Sequence, residues 1–211
     1  MKLIMENWRS WMGGGAKMHP KIKEILEAIV EQTNVSVAIK EKVESVEVTY
    51  VDADTLEPSG LPEGIIQMEL DPSYNGPCLH GYVVSWAKAS PGWGPLLYEV
   101  AMEWASKNAT GLTSDRYSVS DDAQGVWRKY AQRPDVDPKQ LDVDLKTMEE
   151  VPDWVQPLTP DDPTDDCVQL SNFKTLTAAD DWEESPLAKV YSKSTQEVTK
   201  ALKKAGRLVI M

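Results

Sequence analysis

Residues 79–130 read LHGYVVSWAKASPGWGPLLYEVAMEWASKNATGLTSDRYSVSDDAQGVWRKY, and this stretch decides the fold. It opens with apolar and β-branched residues, passes through a turn rich in Gly and Pro, and continues into a run with helical periodicity. The pattern predicts a central strand over residues 79–87, a turn at Gly92-Trp93-Gly94, and a helix over residues 94–107.

A turn of this kind can bind an anion. The first backbone N–H groups of a helix have no intrahelical partner and carry the positive end of the helix dipole. Glycines let a phosphate come close to these amides, so the turn is a candidate phosphate site. Turns with Gly and Pro also join strands to helices in proteins that bind no phosphate, and a purely structural turn is the alternative.

The residues around this turn resemble a known family. Gly92-Trp93-Gly94-Pro95-Leu96-Leu97-Tyr98 resembles the acetyl-CoA pyrophosphate loop of the GNAT superfamily of N-acetyltransferases, in which a Gly-x-Gly opens the main cofactor helix. Downstream, Ser120-Asp121-Asp122-Ala123 leading to Trp127 takes the place of the family's Asn-x-x-Ala-x-x-x-Tyr signature. The resemblance covers residues 79–130 and departs from the family pattern where Ser90-Pro91 precedes the turn, where Ser120 replaces Asn and where Trp127 replaces Tyr.

The resemblance implies both a fold and a co-substrate. The fold would be α+β, with a GNAT-like mixed, mostly antiparallel central sheet flanked by helices, followed by an acidic C-terminal extension. The co-substrate would be acetyl-CoA, with its pyrophosphate at the glycine turn and its pantetheine along the central strand and the helix after Ser120. The residues expected to contact it are Val83, Val84, Trp86, Gly92, Trp93, Gly94, Pro95, Leu96, Ser120 and Trp127.

The reaction implied is transfer of an acetyl group to an amine, which needs a base for the amine proton and an acid for the leaving thiolate. Glu69, near the end of a predicted strand, is the candidate base. Tyr130 and Tyr98 are the candidate acids. The structural alternative is that Glu69 is simply solvated and that both tyrosines belong to the core.

The remaining periodic stretches predict the elements around this centre. Alternating segments before residue 79 predict an antiparallel meander that leads into the central strand, and polar positions of the helix over residues 94–107 form one stripe, Glu99, Glu103 and Lys107. Ser120 is expected to cap the helix that carries Trp127. The other predicted elements are a helix over 20–32, strands over 43–51, 65–70 and 112–119, a helix over 187–204 and an edge strand over 208–211.

The two ends of the chain differ from its middle. Residues 1–12, MKLIMENWRSWM, are predicted to form an amphipathic peptide on a glycine linker at residues 13–15. Within them, KLIMENWR at residues 2–9 resembles an N-terminal peptide of proteins of marine tailed bacteriophages. That resemblance implies docking to a virion protein, and cover for an apolar patch of its own domain is the alternative. The predicted organisation is thus a peptide and linker over 1–15, a GNAT-like core over 16–132, and an acidic, Pro-rich arm with a C-terminal helix over 133–211.

Composition limits the classes of partner. The 211 residues carry a net charge of -12, which repels nucleic acid and anionic lipid, so direct nucleic-acid binding is not expected. Two cysteines are too few for a disulfide scaffold, and no Cys/His spacing is typical of a metal site. The sequence contains no apolar run long enough to span a membrane, so a soluble, intracellular protein is expected. The bacteriophage resemblance implies the host cytoplasm or the virion as its location.

A second class of function stays open beside the enzyme. A GNAT-like domain could serve as an inactive binding or virion-associated structural module, an interpretation favoured by Asp121 and Asp122, whose carboxylates would repel a nearby phosphate. A thiol enzyme using Cys78 and His80 is a third hypothesis, but nothing in the sequence identifies an orienting acid. His19, beside a helix start, is read as a turn residue.

Overall fold

The computed structural model describes residues 18–70, 81–115, 119–140, 185–187 and 189–211. Within these ranges the chain forms α1 (Pro20–Gln32), β1 (Val35–Glu41), β2 (Ser45–Asp52), β3 (Gly64–Leu70), β4 (Tyr82–Ala89), α2 (Gly94–Asn108), β5 (Leu112–Thr113), α3 (Asp121–Tyr130), β6 (Asp137–Gln140), β7 (Lys189–Ser192), α4 (Glu197–Lys204) and β8 (Leu208–Ile210). The N-terminal peptide and linker, Cys78, His80, and the acidic arm over 141–184 lie outside the described residues.

The eight strands form one mixed sheet in the order β6-β7-β5-β4-β3-β2-β1-β8. Its antiparallel pairs include β1 with β2, β5 with β7, and β6 with β7. Its parallel pairs include β1 with β8, and β4 with β5. Helices and a mixed sheet together confirm the α+β class.

Helix α1 begins and ends where the sequence predicts. Pro20 occupies the first turn, and the His19 imidazole accepts the Lys21 backbone N–H at 3.3 Å, so His19 acts as the N-cap. The residues that it buries are spaced three or four apart, which places them on one face of the helix: Ile22, Ile25, Leu26 and Ile29.

The sequence did not predict β1. Residues Val35 to Ile39 are all buried, so the strand lacks the alternation of apolar and polar positions by which β2 and β3 were predicted. Side chains at successive positions of a strand point to opposite faces, so five buried positions in a row mean that both faces of β1 are covered. Without alternation, only the length of this segment and its β-branched residues could have indicated a strand.

The C-terminal helix is shorter than predicted. Residues 189–192 form β7, and α4 begins only at Glu197. Val190 and Tyr191 fit a helical stripe with Leu187, but they pair with β5 and β6, and this ladder outweighs the local pattern. The predicted edge strand is confirmed as β8, whereas β6 lies in the arm that was predicted to be loop-rich.

The chain divides into two compact units. Unit 1 comprises Met1–Gln67, Trp86–Glu103 and Thr195–Met211, and its described part holds α1, β1, β2, most of α2, α4 and β8. Glu103 is 1% exposed, and its two carboxylate oxygens accept the backbone N–H groups of Val198 and Thr199 at 2.9 and 2.8 Å. A carboxylate from α2 therefore caps α4 and complements its dipole, whereas the sequence placed Glu103 on a polar stripe.

Unit 2 comprises Met68–Ser85 and Trp104–Ser194. Its aromatic centre is Trp127, whose indole stacks on Tyr191 with ring centroids 5.4 Å apart and lies 6.1 Å from Tyr130. Beside it, Asp135 pairs with Arg133 and with Lys193, whose side chain is 3% exposed. Burial alone would raise the pKa of Asp135, but the hydrogen bonds and charges of Arg133 and Lys193 outweigh burial and bring the pKa to about 2.

Candidate cofactor-binding site

The turn between β4 and α2 is fixed at its base by three hydrogen bonds within unit 1. The Ser90 backbone N–H donates to the Glu63 carbonyl at 2.9 Å, and the Glu63 N–H donates to Ser90 Oγ at 3.1 Å. The Trp93 N–H donates to the Ser90 carbonyl at 3.0 Å and closes the turn. The turn is therefore an ordered structure from which α2 begins at Gly94.

The structure explains a glycine at position 92 but not one at position 94. Gly92 has φ +83°, a left-handed conformation that side chains rarely adopt. A Cβ on Gly94 would lie 3.6 Å from the Ala89 Cβ, an ordinary contact, so nothing in its surroundings requires a glycine. A ligand that approaches the backbone closely at position 94 would still explain a glycine there.

A lysine lies beside the turn, and the sequence did not point to it. A Cβ built on Gly92 would be 3.9 Å from Cε and from Nζ of Lys21, in the first turn of α1. The Lys21 ammonium also pairs with Glu24 at 2.8 Å, across one helical turn. The Lys21 ammonium beside the turn adds positive charge where a phosphate is expected. Only the folded chain brings residues 21 and 92 together.

The second half of β4 is exposed. β4 pairs with β5 through Tyr82 and Val83, and continues to Ala89. Over residues 85–88 both faces of the strand are exposed, and Trp86 is 58% exposed. Of the predicted pantetheine contacts, Val83 is half-buried and Val84 is buried. The exposed strand leads directly into the glycine turn.

The other candidate residues fall into both units. Unit 1 contains Trp86, Gly92, Trp93, Gly94, Pro95, Leu96 and Tyr98. Unit 2 contains Glu69, Val83, Val84, Ser120, Trp127 and Tyr130. Within unit 1, Leu96 is buried at the start of α2, and Gly94 and Pro95 are half-buried. Within unit 2, the Ser120 hydroxyl accepts the Ala123 N–H at 3.4 Å, which confirms the predicted N-cap. The cofactor contacts assigned to these residues remain predictions.

The three candidate catalytic residues differ in their surroundings. Glu69 is half-buried and accepts a hydrogen bond from the Ser85 hydroxyl at 2.9 Å. Tyr98 is 6% exposed, and burial raises its pKa to about 12, so its hydroxyl carries a proton at neutral pH. Tyr130 is 4% exposed, with the Arg133 guanidinium 5.3 Å from its ring centre. Their catalytic roles remain predictions.

Two further observations concern metal ions and membranes. In the ranges that the structure describes, no three His, Cys, Asp or Glu side chains lie close enough together to hold a metal ion. None of the helices in those ranges has the length and apolarity needed to cross a membrane.

Comparison with known proteins does not identify a family for this chain. Neither a scan against protein-family models nor searches of curated proteins and of solved structures find a match to this chain.

Proposed function

We propose that this protein is an acyl-CoA-dependent N-acyltransferase of the GNAT type, which transfers an acetyl group from acetyl-CoA to an amine. The observation that carries the proposal lies within unit 1, where an exposed strand end runs into an ordered glycine turn and a helix start, with a lysine ammonium beside it. The order of elements around it, a helix, strands, the central strand, the turn and a helix, is the order that the family resemblance implies.

Two parts of the cofactor, the diphosphate and the pantetheine, are each assigned to groups of the protein. The diphosphate is assigned to the turn, where the first amides of α2 and the Lys21 ammonium supply hydrogen bonds and positive charge. The pantetheine is assigned to the part of β4 beyond Val83, where the ladder with β5 ends, because the pantetheine amides could pair with that side of β4 as an added strand does. Trp86 offers a large apolar surface beside it.

The chemistry is assigned to the candidates from the sequence. The amine nitrogen attacks the thioester carbonyl carbon, a C–N bond forms, and the C–S bond breaks. Glu69 takes the proton that the amine loses, and the departing thiolate receives a proton from Tyr98 or Tyr130. Among these, Glu69 is the carboxylate, and its side chain is half-buried rather than buried.

The burial of Tyr98 and Tyr130 favours a second candidate function. Side chains that are 6% and 4% exposed present little surface to a leaving thiolate. The alternative is a GNAT-like domain that binds a ligand or a virion partner without transferring an acyl group. The two functions differ in one result, which is release of free CoA thiol from acetyl-CoA in the presence of a panel of amines.

Replacing Gly92 with Ala is expected to weaken acetyl-CoA binding by about tenfold or more. The added Cβ disfavours the left-handed backbone at position 92, so the turn shifts away from the conformation that receives the diphosphate. Isothermal titration calorimetry measures the change in affinity. Gly94→Ala, which introduces no backbone strain, is expected to weaken binding through obstruction alone.

Gly206→Ala is the matched control. Gly206 has φ +68° and open space around its Cβ position, so the substitution imposes the same kind of strain at the end of α4. Both variants should lose about 1 to 2 kcal/mol of stability, and only the change at Gly92 should affect acetyl-CoA. Equal affinity for acetyl-CoA in the two variants would place the cofactor elsewhere.

A further inference from the structure

A buried tyrosine lies beneath the glycine turn. Tyr50, on β2, is 1% exposed, and its hydroxyl donates a hydrogen bond to the Trp93 carbonyl oxygen at 2.8 Å. The two rings meet edge to face, with centroids 5.8 Å apart and planes at 87°. Burial raises the pKa of Tyr50, so its hydroxyl stays a donor at all ordinary pH values.

The Tyr50 ring has little freedom to move. A Cβ on Gly64 would lie 2.9 Å from Cδ2 of Tyr50 and 2.7 Å from Cδ1 of Leu97, so β3 and α2 pack closely around that ring face. The hydroxyl is therefore held at one point under the turn, and the Trp93 carbonyl is held with it.

Fixing this carbonyl also fixes an amide. The Trp93 carbonyl and the Gly94 N–H belong to one peptide unit, which is planar and trans. In a trans unit the C=O and the N–H point in opposite directions. A carbonyl drawn toward Tyr50 therefore turns the Gly94 N–H away from Tyr50. Gly94 begins α2, and its N–H is one of the first-turn amides that lack an intrahelical acceptor.

We propose that Tyr50 is a positioning residue that aims the Gly94 amide at the diphosphate of a bound acyl-CoA. This inference rests on the proposed function. The Ser90 and Glu63 hydrogen bonds hold the first end of the turn, and the Tyr50 hydroxyl holds the second. The turn thus enters binding with its amide already oriented, and less conformational freedom is lost when the ligand binds.

The test compares two tyrosines in the full-length protein. Tyr50→Phe removes the hydroxyl bound to Trp93 and keeps the ring. Tyr191→Phe is the matched control, because Tyr191 is equally buried and its hydroxyl donates to the Pro186 carbonyl at 2.6 Å, in unit 2. Calorimetry with acetyl-CoA should show a loss of affinity of about tenfold for Tyr50→Phe, because the Gly94 amide must then be oriented as the ligand binds. Tyr191→Phe should bind as the wild type does.

A second readout separates positioning from general stability. In ¹⁵N-labelled protein, added CoA should shift the Gly94 amide resonance strongly in the wild type and weakly in Tyr50→Phe, with the Gly206 amide unchanged in both. Equal affinities and equal Gly94 shifts in wild type and Tyr50→Phe would overturn the positioning role while leaving the proposed function intact. A wild type that binds neither CoA nor acetyl-CoA would overturn both. An equal loss of affinity in the two Phe variants would mean that lost stability, and not position, weakens binding.

Discussion

Replacing Trp127 with Ala is expected to lower the free energy of unfolding by about 3 to 5 kcal/mol. Trp127 is 1% exposed and is among the largest fully buried side chains of the described residues. Its indole stacks on Tyr191 and touches Tyr130, so truncation leaves a cavity among rings that cannot fill it. Urea unfolding followed by circular dichroism measures the loss.

Trp86→Ala serves as its control. Trp86 is 58% exposed, and its truncation should change the free energy of unfolding by less than about 1 kcal/mol. A similarly small loss for Trp127→Ala would mean that the indole does not anchor unit 2. The placement of Trp127 along the pantetheine, implied by the family resemblance, stays a prediction beside this structural role.

Gly111→Ala is expected to destabilise the protein by about 3 kcal/mol or more, since steric overlap adds to backbone strain. A Cβ at this position would lie 2.4 Å from the Tyr191 carbonyl oxygen and 2.9 Å from its carbonyl carbon. Gly111 also has φ +147°, which alanine rarely adopts. Because Tyr191 is held in β7, opposite Leu112 of β5, relief requires the β5–β7 ladder to shift.

Gly125→Ala is the matched control for this change. Gly125 lies within α3, and a Cβ there would meet nothing within 4 Å. Alanine is the better helix former by about 1 kcal/mol, so this variant should gain stability. The same unfolding measurement on both variants checks the pair, and a mild effect at position 111 would contradict the close approach of the Tyr191 backbone.

The first three helices, α1 to α3, were predictable because their signals are local. Pro20 with His19 as cap, the three-and-four spacing of buried residues in α1, and Ser120 before α3 each depend on neighbours within one or two turns. The central strand, the glycine turn and the start of α2 were also correctly placed from their order along the chain.

The misplaced elements depend on distant partners. β1 and β7 take their form from the strands beside them, so neither shows the local pattern that would identify it. Glu103 has the same sequence context as an exposed helix residue, and only the approach of α4 reveals it as a cap.

The candidate site was predicted only in part. The glycine turn was identified from its spacing and its resemblance to a known loop. Lys21 and Tyr50 were not identified, because each reaches the turn from another element across many residues of chain. Residues of other elements that contact a loop belong to no sequence motif by which they could be predicted.

The proposed function requires the turn between β4 and α2 to bind acyl-CoA. Isothermal titration calorimetry of the full-length protein with acetyl-CoA tests it most directly, with Gly92→Ala and Gly206→Ala measured in parallel. We predict saturable binding of one acetyl-CoA per chain, weakened by the change at Gly92 and unaffected by the change at Gly206. Absence of any binding heat and of any thermal stabilisation at millimolar acetyl-CoA would contradict the claim, because a ligand at about 100 times its dissociation constant adds roughly 2.7 kcal/mol of stability.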